Sequence, residues 1–253
     1  MLLNKKKYDL IFGIGEACSC TQSLRKYNLQ IRSFPFDWLY GSDFLRRCQI
    51  IAQRFDRFID INDLKDTGKV NNDKNNPCKV YNNIHNDITF NHDFFITEDF
   101  NTIYPIVKEK YNRRIKRLLK NFETSKNILI VYMEPPTSDH PKIENNTIIE
   151  GYNLIQKTFL NADIDLIYIQ NSNSPQKQEI LSNHIFKFIL PYKNTQNDSV
   201  DHAVDLTKLE HIFTKYELNI PYIFYLIRKI QKCLINLIPL KFVRIKLKKK
   251  YHI

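Results

Sequence analysis

Residues 8–20 read YDLIFGIGEACSC, and this stretch decides the fold prediction. Its first part, YDLIFGI, is a short apolar run followed by Gly15, which is typical of a buried strand. A helix is predicted from about Thr21 to Tyr27. A strand that leads through glycine into a helix predicts the opening unit of a parallel α/β sheet. Cys18 falls at the turn between the strand and the helix.

The same alternation of strands and helices continues along the chain. Strands are predicted at residues 127–133, 164–170 and 184–192, and helices at residues 42–59, 99–123, 148–160 and 205–216. Ser42 is the expected N-cap of the helix at 42–59, and Pro105 is expected to interrupt the helix at 99–123. The polar residues 62–78 predict a loop, and residues 80–90 predict a strand pair or irregular structure. The predicted fold class is α/β, with three layers and a mostly parallel sheet between helices on both faces.

The charge distribution separates a domain at residues 1–218 from a tail at residues 219–253. The net charge is +11, but residues 221–253 contain nine bases and no acid. Of the 38 bases, 29 remain for the rest of the chain against 27 acids. We expect no nucleic-acid partner for the domain, because binding to phosphates needs a concentrated positive surface. The nine bases of the tail are Arg228, Lys229, Lys232, Lys241, Arg244, Lys246, Lys248, Lys249 and Lys250.

The tail has the pattern of a basic amphipathic helix. Leu226, Ile230, Leu234 and Leu237 recur at helical spacing before Pro239, and the bases fall on another arc. This pattern favours contact between the nine bases and an anionic membrane surface. The alternatives are a helix that docks on the domain, a partner protein or nucleic acid.

The cysteines and the hydropathy predict where the protein resides. Five cysteines, an odd number at irregular spacing, favour reduced thiols. We expect no secretory signal at the start, and no run reaches the roughly 18 apolar residues of a membrane span. The expected location is the cytoplasm, with peripheral contact at the inner membrane.

Cys18 and Cys20 leave four interpretations open: a nucleophile, core packing, metal ligands and a redox pair. A thiol just before a helix lies near the positive end of the helix dipole and near free N–H groups, which lower its pKa and can bind an oxyanion. Cys20 falls further into the helix, where packing is expected. A C-x-C pair without a second cluster is poor zinc spacing, and one Gly-x-Gly is a weak nucleotide signal. No metal and no cofactor are therefore predicted.

A thiolate nucleophile needs a general base. His92, in NHDFF, is the first candidate and His202, in SVDHAVD, the second. The alternatives are a structural loop position for His92 and a helix cap region for His202. Asp37, in FPFDW, either orients a histidine or binds backbone N–H groups, because a buried carboxylate needs partners. Arg113 and Arg114, in RRIKR, belong either to a solvated helix face or to a clamp for an anionic substrate group.

Four segments in order resemble the papain-like cysteine peptidase family of bacteria, which is also classed as a domain of unknown function. YDLIFGIGEACSCTQSLRKYNL resembles its opening strand, its "sLGxxC" motif and its first helix. FPFDW, NHDF and YNRRIKRLL resemble its next three blocks. The similarity is good over residues 8–135, loose to about residue 216, and absent from the tail. Gly13 and Ile14 stand where the family often has Ser and Leu.

The resemblance implies roles for the residues at matching positions. It implies a catalytic group of Cys18 as nucleophile, His92 or His202 as base, and Asp37 or Asp93 as orienting carboxylate. The residues that it implies for substrate binding are Gly15, Trp38, Arg113 and Arg114. The parallel α/β order differs from that of papain itself and is closer to hydrolases of the SGNH or flavodoxin-like type.

Three functions are compatible with these features. The leading one is a cysteine-dependent hydrolase of a peptide, acyl or glycan-linked substrate near the inner membrane, with a role in surface-polysaccharide biosynthesis that the resemblance implies. The second is a non-catalytic α/β binding or scaffold domain for envelope assembly. The third is a sugar or phosphate transferase in which the arginines bind phosphate.

Overall fold

The computed structural model of the chain describes residues 5–16, 18–71, 77–135, 142–172, 174–191 and 206–239. The helices are α1 Ser19–Lys26, α2 Phe44–Ala52, α3 Phe100–Thr124, α4 Asn145–Thr158, α5 Leu206–Phe213 and α6 Tyr222–Asn236. The strands are β1 Lys6–Tyr8, β2 Leu10–Gly13, β3 Leu39–Tyr40, β4 Leu64–Asn71, β5 Cys78–Asn83, β6 Ile88–Phe95, β7 Asn127–Met133, β8 Asp163–Ser172, β9 Lys177–Ser182, β10 Ile185–Pro191 and β11 Tyr216–Leu218.

The five-stranded sheet has the order β2-β7-β8-β10-β9. Strands β2, β7, β8 and β10 pair in parallel, whereas β9 pairs antiparallel with β10. The register places Gly13 opposite Val131, and Tyr132 opposite Tyr168. The carboxyl ends of β2, β7 and β8 therefore meet at one edge of the sheet. We call this the carboxyl edge (residues 13–16, 133–135 and 170–172).

Strand β7 shows how the sheet is covered. Its alternate residues belong to two separate apolar clusters. One cluster contains Ile130 with residues of α2, α3 and α4, and the other contains Val131 with residues of α1 and α5. Because successive side chains of a strand point to opposite faces, helices cover both faces of this sheet.

A second sheet is antiparallel and has the order β3-β6-β5-β4. The strand pair at residues 80–90 is confirmed by β5 and β6, but the loop predicted at residues 62–78 is wrong, because β4 lies there. Residues 65–70 of β4 are exposed, and Leu64 is its buried residue. A strand with so little core contact has a polar composition, which is why it resembles a loop in the sequence.

The N-cap of helix α2 is one residue later than predicted. The side chain of Asp43 accepts a hydrogen bond from the Arg46 N–H at 2.8 Å and is the N-cap. The Ser42 hydroxyl instead donates to the Asn86 carbonyl at 2.5 Å. The helix ends at Ala52 rather than near residue 59, because residues 54 and 55 adopt left-handed backbone angles with φ of 55° and 63°.

Helix α3 runs through Pro105, so the predicted interruption is wrong. Proline removes one helical N–H, and the carbonyl that would accept from it belongs to Asn101. Both residues are exposed, so water can satisfy this carbonyl. The helix tolerates the proline for that reason.

The α/β fold class is confirmed, since the described chain combines sheets with six helices. The prediction of one mostly parallel sheet was incomplete, because the antiparallel sheet is separate from it. Helix α6 lies in the predicted tail. Among the described residues, no helix is long and apolar enough to cross a bilayer. The domain boundary between residues 218 and 219 stays a prediction.

Candidate functional site

Cys18 lies at the turn between β2 and α1, as predicted. It is the N-cap residue of α1, and its carbonyl accepts from the Gln22 N–H at 2.9 Å. Its side chain is 5% exposed. Gly15 brings the turn against β7, because a Cβ at Gly15 would come within 2.7 Å of the backbone N and O of Met133. Glycine is thus required here for close backbone approach, and its role in substrate binding stays a prediction.

Cys20 is a packing residue, as predicted. Its thiol is buried between α1 and the sheet and donates to the Val131 carbonyl at 3.5 Å. A Cβ at Gly13 would come within 2.8 Å of its Sγ. Burial raises the pKa of this thiol to about 12, so it stays protonated at neutral pH. Of the two thiols, Cys18 is therefore the candidate nucleophile.

Asp37 is fully buried and joins α1 to the loop that follows it. One oxygen accepts from the Thr21 hydroxyl at 3.0 Å and the other from the Arg25 guanidinium at 3.1 Å. The Gln30 amide donates to both oxygens at 3.0 Å, and the Phe34 N–H donates at 3.2 Å. Burial raises the pKa of this carboxyl against the opposing charge of Arg25. Asp37 fixes the position of α1 in this way, and a role in orienting a histidine stays a prediction.

Trp38 follows Asp37 with a left-handed backbone, at a φ of 72°. Its half-buried ring lies 6.0 Å from the guanidinium carbon of Arg25. Arg25 thus contacts both residues of the Asp-Trp pair. The predicted contact of Trp38 with substrate is not tested by this arrangement.

His92 lies on β6 in the antiparallel sheet, and its Nδ1 is 3.2 Å from the amide nitrogen of Asn71. The same amide nitrogen donates to the Asn91 carbonyl at 3.1 Å, which fixes the orientation of the amide. Nδ1 therefore accepts, and a neutral ring carries its proton at Nε2. In this arrangement the neutral ring of His92 can donate a hydrogen bond through Nε2. To act as a base there it would have to exchange tautomers.

Asp93 is held by helix α3. Its oxygens accept from the Lys110 ammonium and, at 2.7 Å, from the Tyr111 hydroxyl. Burial by itself would raise the pKa of this carboxyl, but Lys110, Tyr111 and the nearby charge of Arg114 outweigh it and lower the pKa. Asp93 is thus an ionised anchor between β6 and α3, and its role beside His92 stays a prediction.

The two arginines of the double-Arg motif differ in environment. Arg113 is exposed and pairs with Glu109 one helical turn earlier at 2.6 Å. Arg114 is half-buried, and its guanidinium carbon lies 5.3 Å from the centre of the Tyr111 ring. Arg114 also acts electrostatically on both Asp37 and Asp93. Arg113 therefore belongs to a solvated face, whereas Arg114 faces the buried carboxylates; binding of substrate by either stays a prediction.

Arg47 is a site residue that the sequence reasoning missed. Its side chain is fully buried, and its guanidinium donates five hydrogen bonds to main-chain oxygens. The acceptors are the carbonyls of Ile14, Gly15, Leu39, Gly41 and Ser42, at 2.7–3.2 Å. Burial lowers the pKa of this guanidinium, and the charge of Glu16 opposes that shift. Arg47 thus ties the turn before Cys18 to the segment after the Asp-Trp pair.

A signal for Arg47 was present in the sequence. It lies three residues after Phe44 and four before Ile51, on the apolar face of α2. A charged residue on the buried face of a helix indicates a structural or functional role, because burial of a charge is costly without partners.

Buried polar groups also follow β7 and β8 at the carboxyl edge. Glu134 accepts from the Tyr168 hydroxyl at 2.7 Å and from the Asn171 N–H at 3.2 Å. The buried hydroxyl of Tyr132 has no hydrogen-bond partner among the described residues. Burial raises its pKa well above the usual value, and Glu16 adds to this. This buried hydroxyl therefore stays protonated at neutral pH.

One group of side chains has the spacing of a metal site. Ligand atoms of Asp163, Asp165 and His184 lie within 4.8 Å of one another. However, the Lys6 ammonium binds Asp165 at 2.5 Å, and the Tyr8 hydroxyl donates to the same oxygen. Because a bound cation would compete with this ammonium, we interpret the group as an ion-pair network that anchors β1.

Several predicted site residues lie outside the described part of the chain. His202 is one of them, so the choice between two bases stays a prediction. The same applies to the side chains of the nine tail bases, Arg228, Lys229, Lys232, Lys241, Arg244, Lys246, Lys248, Lys249 and Lys250.

The fold and the site define an α/β protein with a cysteine at a strand-to-helix turn. A family model described as "Putative papain-like cysteine peptidase (DUF1796)" matches residues 9–170. The match covers more than half of the chain, and the chain belongs to this family. It includes Cys18, Asp37, His92 and the double-Arg motif, but not His202 or the tail. Membership supports a peptidase-like function at a coarse level.

A viral relative is also similar to the chain. The "Uncharacterized protein R408" of Acanthamoeba polyphaga mimivirus is 29% identical over 135 residues, which are 48% of this chain and 60% of the viral protein. The chain thus spans less than two thirds of that relative. Because this relative comes from a virus, the bacterial origin of the chain stays a prediction. No solved structure matches the chain.

Proposed function

We propose that this protein is a cysteine-dependent hydrolase in which the thiolate of Cys18 is the nucleophile. The observation that carries the proposal is the position of Cys18 at the start of α1, where β2 ends at the carboxyl edge. Free N–H groups and the positive end of a helix dipole favour a thiolate at such a position.

The reaction that fits this site is acyl transfer to sulfur followed by hydrolysis. The thiolate attacks the substrate carbonyl, and the tetrahedral oxyanion is stabilised by first-turn N–H groups of α1. Collapse of this intermediate gives a thioester and expels an amine or alcohol, which takes a proton from an imidazolium. Water then attacks the thioester, gives up a proton to the imidazole, and releases the acid and the thiolate.

His92 is the proposed proton carrier, because it occupies the histidine position of the NHDF motif. Proton transfer through Nε2 requires a proton at Nδ1, so the hydrogen bond from the Asn71 amide to Nδ1 must break in the reactive state. His202 is the alternative carrier. Arg47 and Asp37 act as positioning residues, because Arg47 holds the backbone before Cys18 and Asp37 binds side chains of α1 after it.

A non-catalytic binding domain is the second candidate, and the low exposure of Cys18 favours it. A substrate must reach the thiol of a residue that is only 5% exposed, whereas a packed cysteine needs no access. The two candidates differ in whether Cys18 reacts in the folded protein.

The test compares Cys18 with Cys233, which is exposed and serves as an internal reference. Alkylation of the folded chain, quantified for each cysteine by mass spectrometry, is expected to be faster at Cys18 than at Cys233 at mildly acidic pH.

Peptides, acyl esters and acylated sugars are then tested as substrates. Cys18→Ala should abolish turnover, whereas Cys233→Ala should retain it. Slow labelling of Cys18, or turnover that survives Cys18→Ala, would reject Cys18 as the nucleophile. Binding of nucleotide sugars without hydrolysis would favour a transferase.

A further inference from the structure

We infer that helix α6 binds the surface of an anionic lipid bilayer through an exposed apolar stripe. The stripe consists of Leu226, Ile227, Ile230, Leu234 and Leu237, which are 40–77% exposed. The inference is independent of the proposed hydrolase, because α6 contains none of the residues proposed for catalysis.

The stripe follows from helix geometry. With about 100° of rotation per residue, all five side chains lie within about 60° of Ile230 on the helix circumference. Such an arc is the apolar face of an amphipathic helix. In a globular domain this face would be expected to lie against the core.

Another side of α6 contacts the domain instead. Ile235 is 6% exposed, and it lies about 140° around the helix from Ile230. Phe224, on that same side, lines a groove with Ile31, Leu218 and Ile220. The domain therefore leaves the stripe facing outward.

The positive charge of the segment that contains α6 indicates which partner the stripe binds. Residues 221–253 carry nine bases and no acid, which complements the negative potential of an anionic leaflet. A second copy of the chain would bring the same positive segments together, and their repulsion opposes dimer formation through α6. Apolar side chains within a basic segment are the combination by which helices bind to charged lipid surfaces.

The experiment uses the full chain and vesicles of phosphatidylcholine with and without phosphatidylserine. Sedimentation is expected to show binding to the vesicles that contain phosphatidylserine, with affinity that falls as salt is added. The double variant Ile230→Asp/Leu234→Asp should weaken this binding by at least about tenfold. Leu160→Asp is the matched control, because Leu160 is an 80% exposed apolar residue that is not part of α6. Its binding should equal that of the wild type.

Three outcomes would overturn the inference. They are a wild type that does not bind, a double variant that binds as well as the wild type, and equal binding to vesicles with and without phosphatidylserine. A wild-type dimer that the double variant dissociates would assign the stripe to self-association instead. Because both substituted residues are exposed, the variants should unfold at the wild-type denaturant concentration, which separates loss of binding from loss of fold.

Discussion

Replacing Arg47 by lysine tests whether one side chain holds the turn before Cys18. Arg47 donates five hydrogen bonds to main-chain carbonyls on two separate segments, residues 14–15 and residues 39–42. Lysine keeps the positive charge but has three N–H donors, so at least two carbonyls lose their partner.

The size of the effect follows from these lost bonds. A buried carbonyl without a donor costs about 1–3 kcal/mol, so two of them give a loss of at least about 2 kcal/mol in the free energy of unfolding for Arg47→Lys. Replacement by methionine leaves all five carbonyls without this donor, which costs about 5 kcal/mol at the lower end of the same range. It also removes a buried charge, which offsets part of that loss, so a decrease of about 3 kcal/mol is expected.

Urea unfolding at neutral pH measures the change, with Arg113→Lys as the control. Arg113 pairs with Glu109 on the exposed face of α3, where ion pairs contribute little, so the control should match the wild type. Hydrogen exchange should also become faster at residues 14–18 and 39–42 in the Arg47 variants. If Arg47→Lys unfolds at the same urea concentration as the wild type with an unchanged slope, the five bonds do not stabilise the turn.

Two further substitutions test the close approach at Gly15 and the anchor at Asp93. Gly15→Ala should destabilise the protein by about 2 kcal/mol, because its Cβ would lie 2.7 Å from backbone atoms of Met133. Gly68→Ala is the control, because a Cβ at Gly68 meets nothing within 4 Å and only the positive φ is strained. It should lower the free energy of unfolding, measured in urea, by about 1 kcal/mol or less. Equal losses for Gly15→Ala and Gly68→Ala would contradict the predicted clash at Gly15. The pKa of Asp93 is lower in the folded protein than in the unfolded chain, where it is about 4. Its ionised form therefore stabilises the fold at pH values above about 4, and this stabilisation is lost as the pH falls below that value. The free-energy difference between the wild type and Asp93→Asn should therefore shrink from pH 7 to about pH 3, and a constant difference would show that the ion pair with Lys110 does not contribute.

The strands of the five-stranded sheet were predictable because the apolar run that predicts each strand lies within that strand. The segment NILIVYM became β7 at the predicted bounds, since a continuous apolar run is buried on both faces of a parallel sheet. Edge strand β4 was not predictable in the same way, because its exposed residues need no apolar pattern. The interruption at Pro105 was predicted wrongly, because the exposure of the surrounding helix decides whether a proline can be accommodated.

The candidate site was predictable at Cys18 and less so around it. The order of strand, glycine and cysteine places Cys18 at the start of a helix. The partners of Asp37, by contrast, come from α1, Gln30 and the backbone at residue 34. A carboxylate in a short motif shows that partners are needed, but not which donors the fold supplies.

The sequence alone determined the α/β class, the position of Cys18 at a turn between a sheet strand and a helix, and the basic character of the tail. These features depend on residue patterns within one element, and the physical preferences of strands, helices and charges act on that scale. The tertiary structure decided that the Cys20 thiol packs against Val131, that Arg47 joins two segments before and after the Asp-Trp pair, and that the apolar stripe of α6 faces outward. These features depend on contacts between groups that are distant in sequence. Such contacts form only when the chain has folded, so they cannot be read from the pattern of a single element.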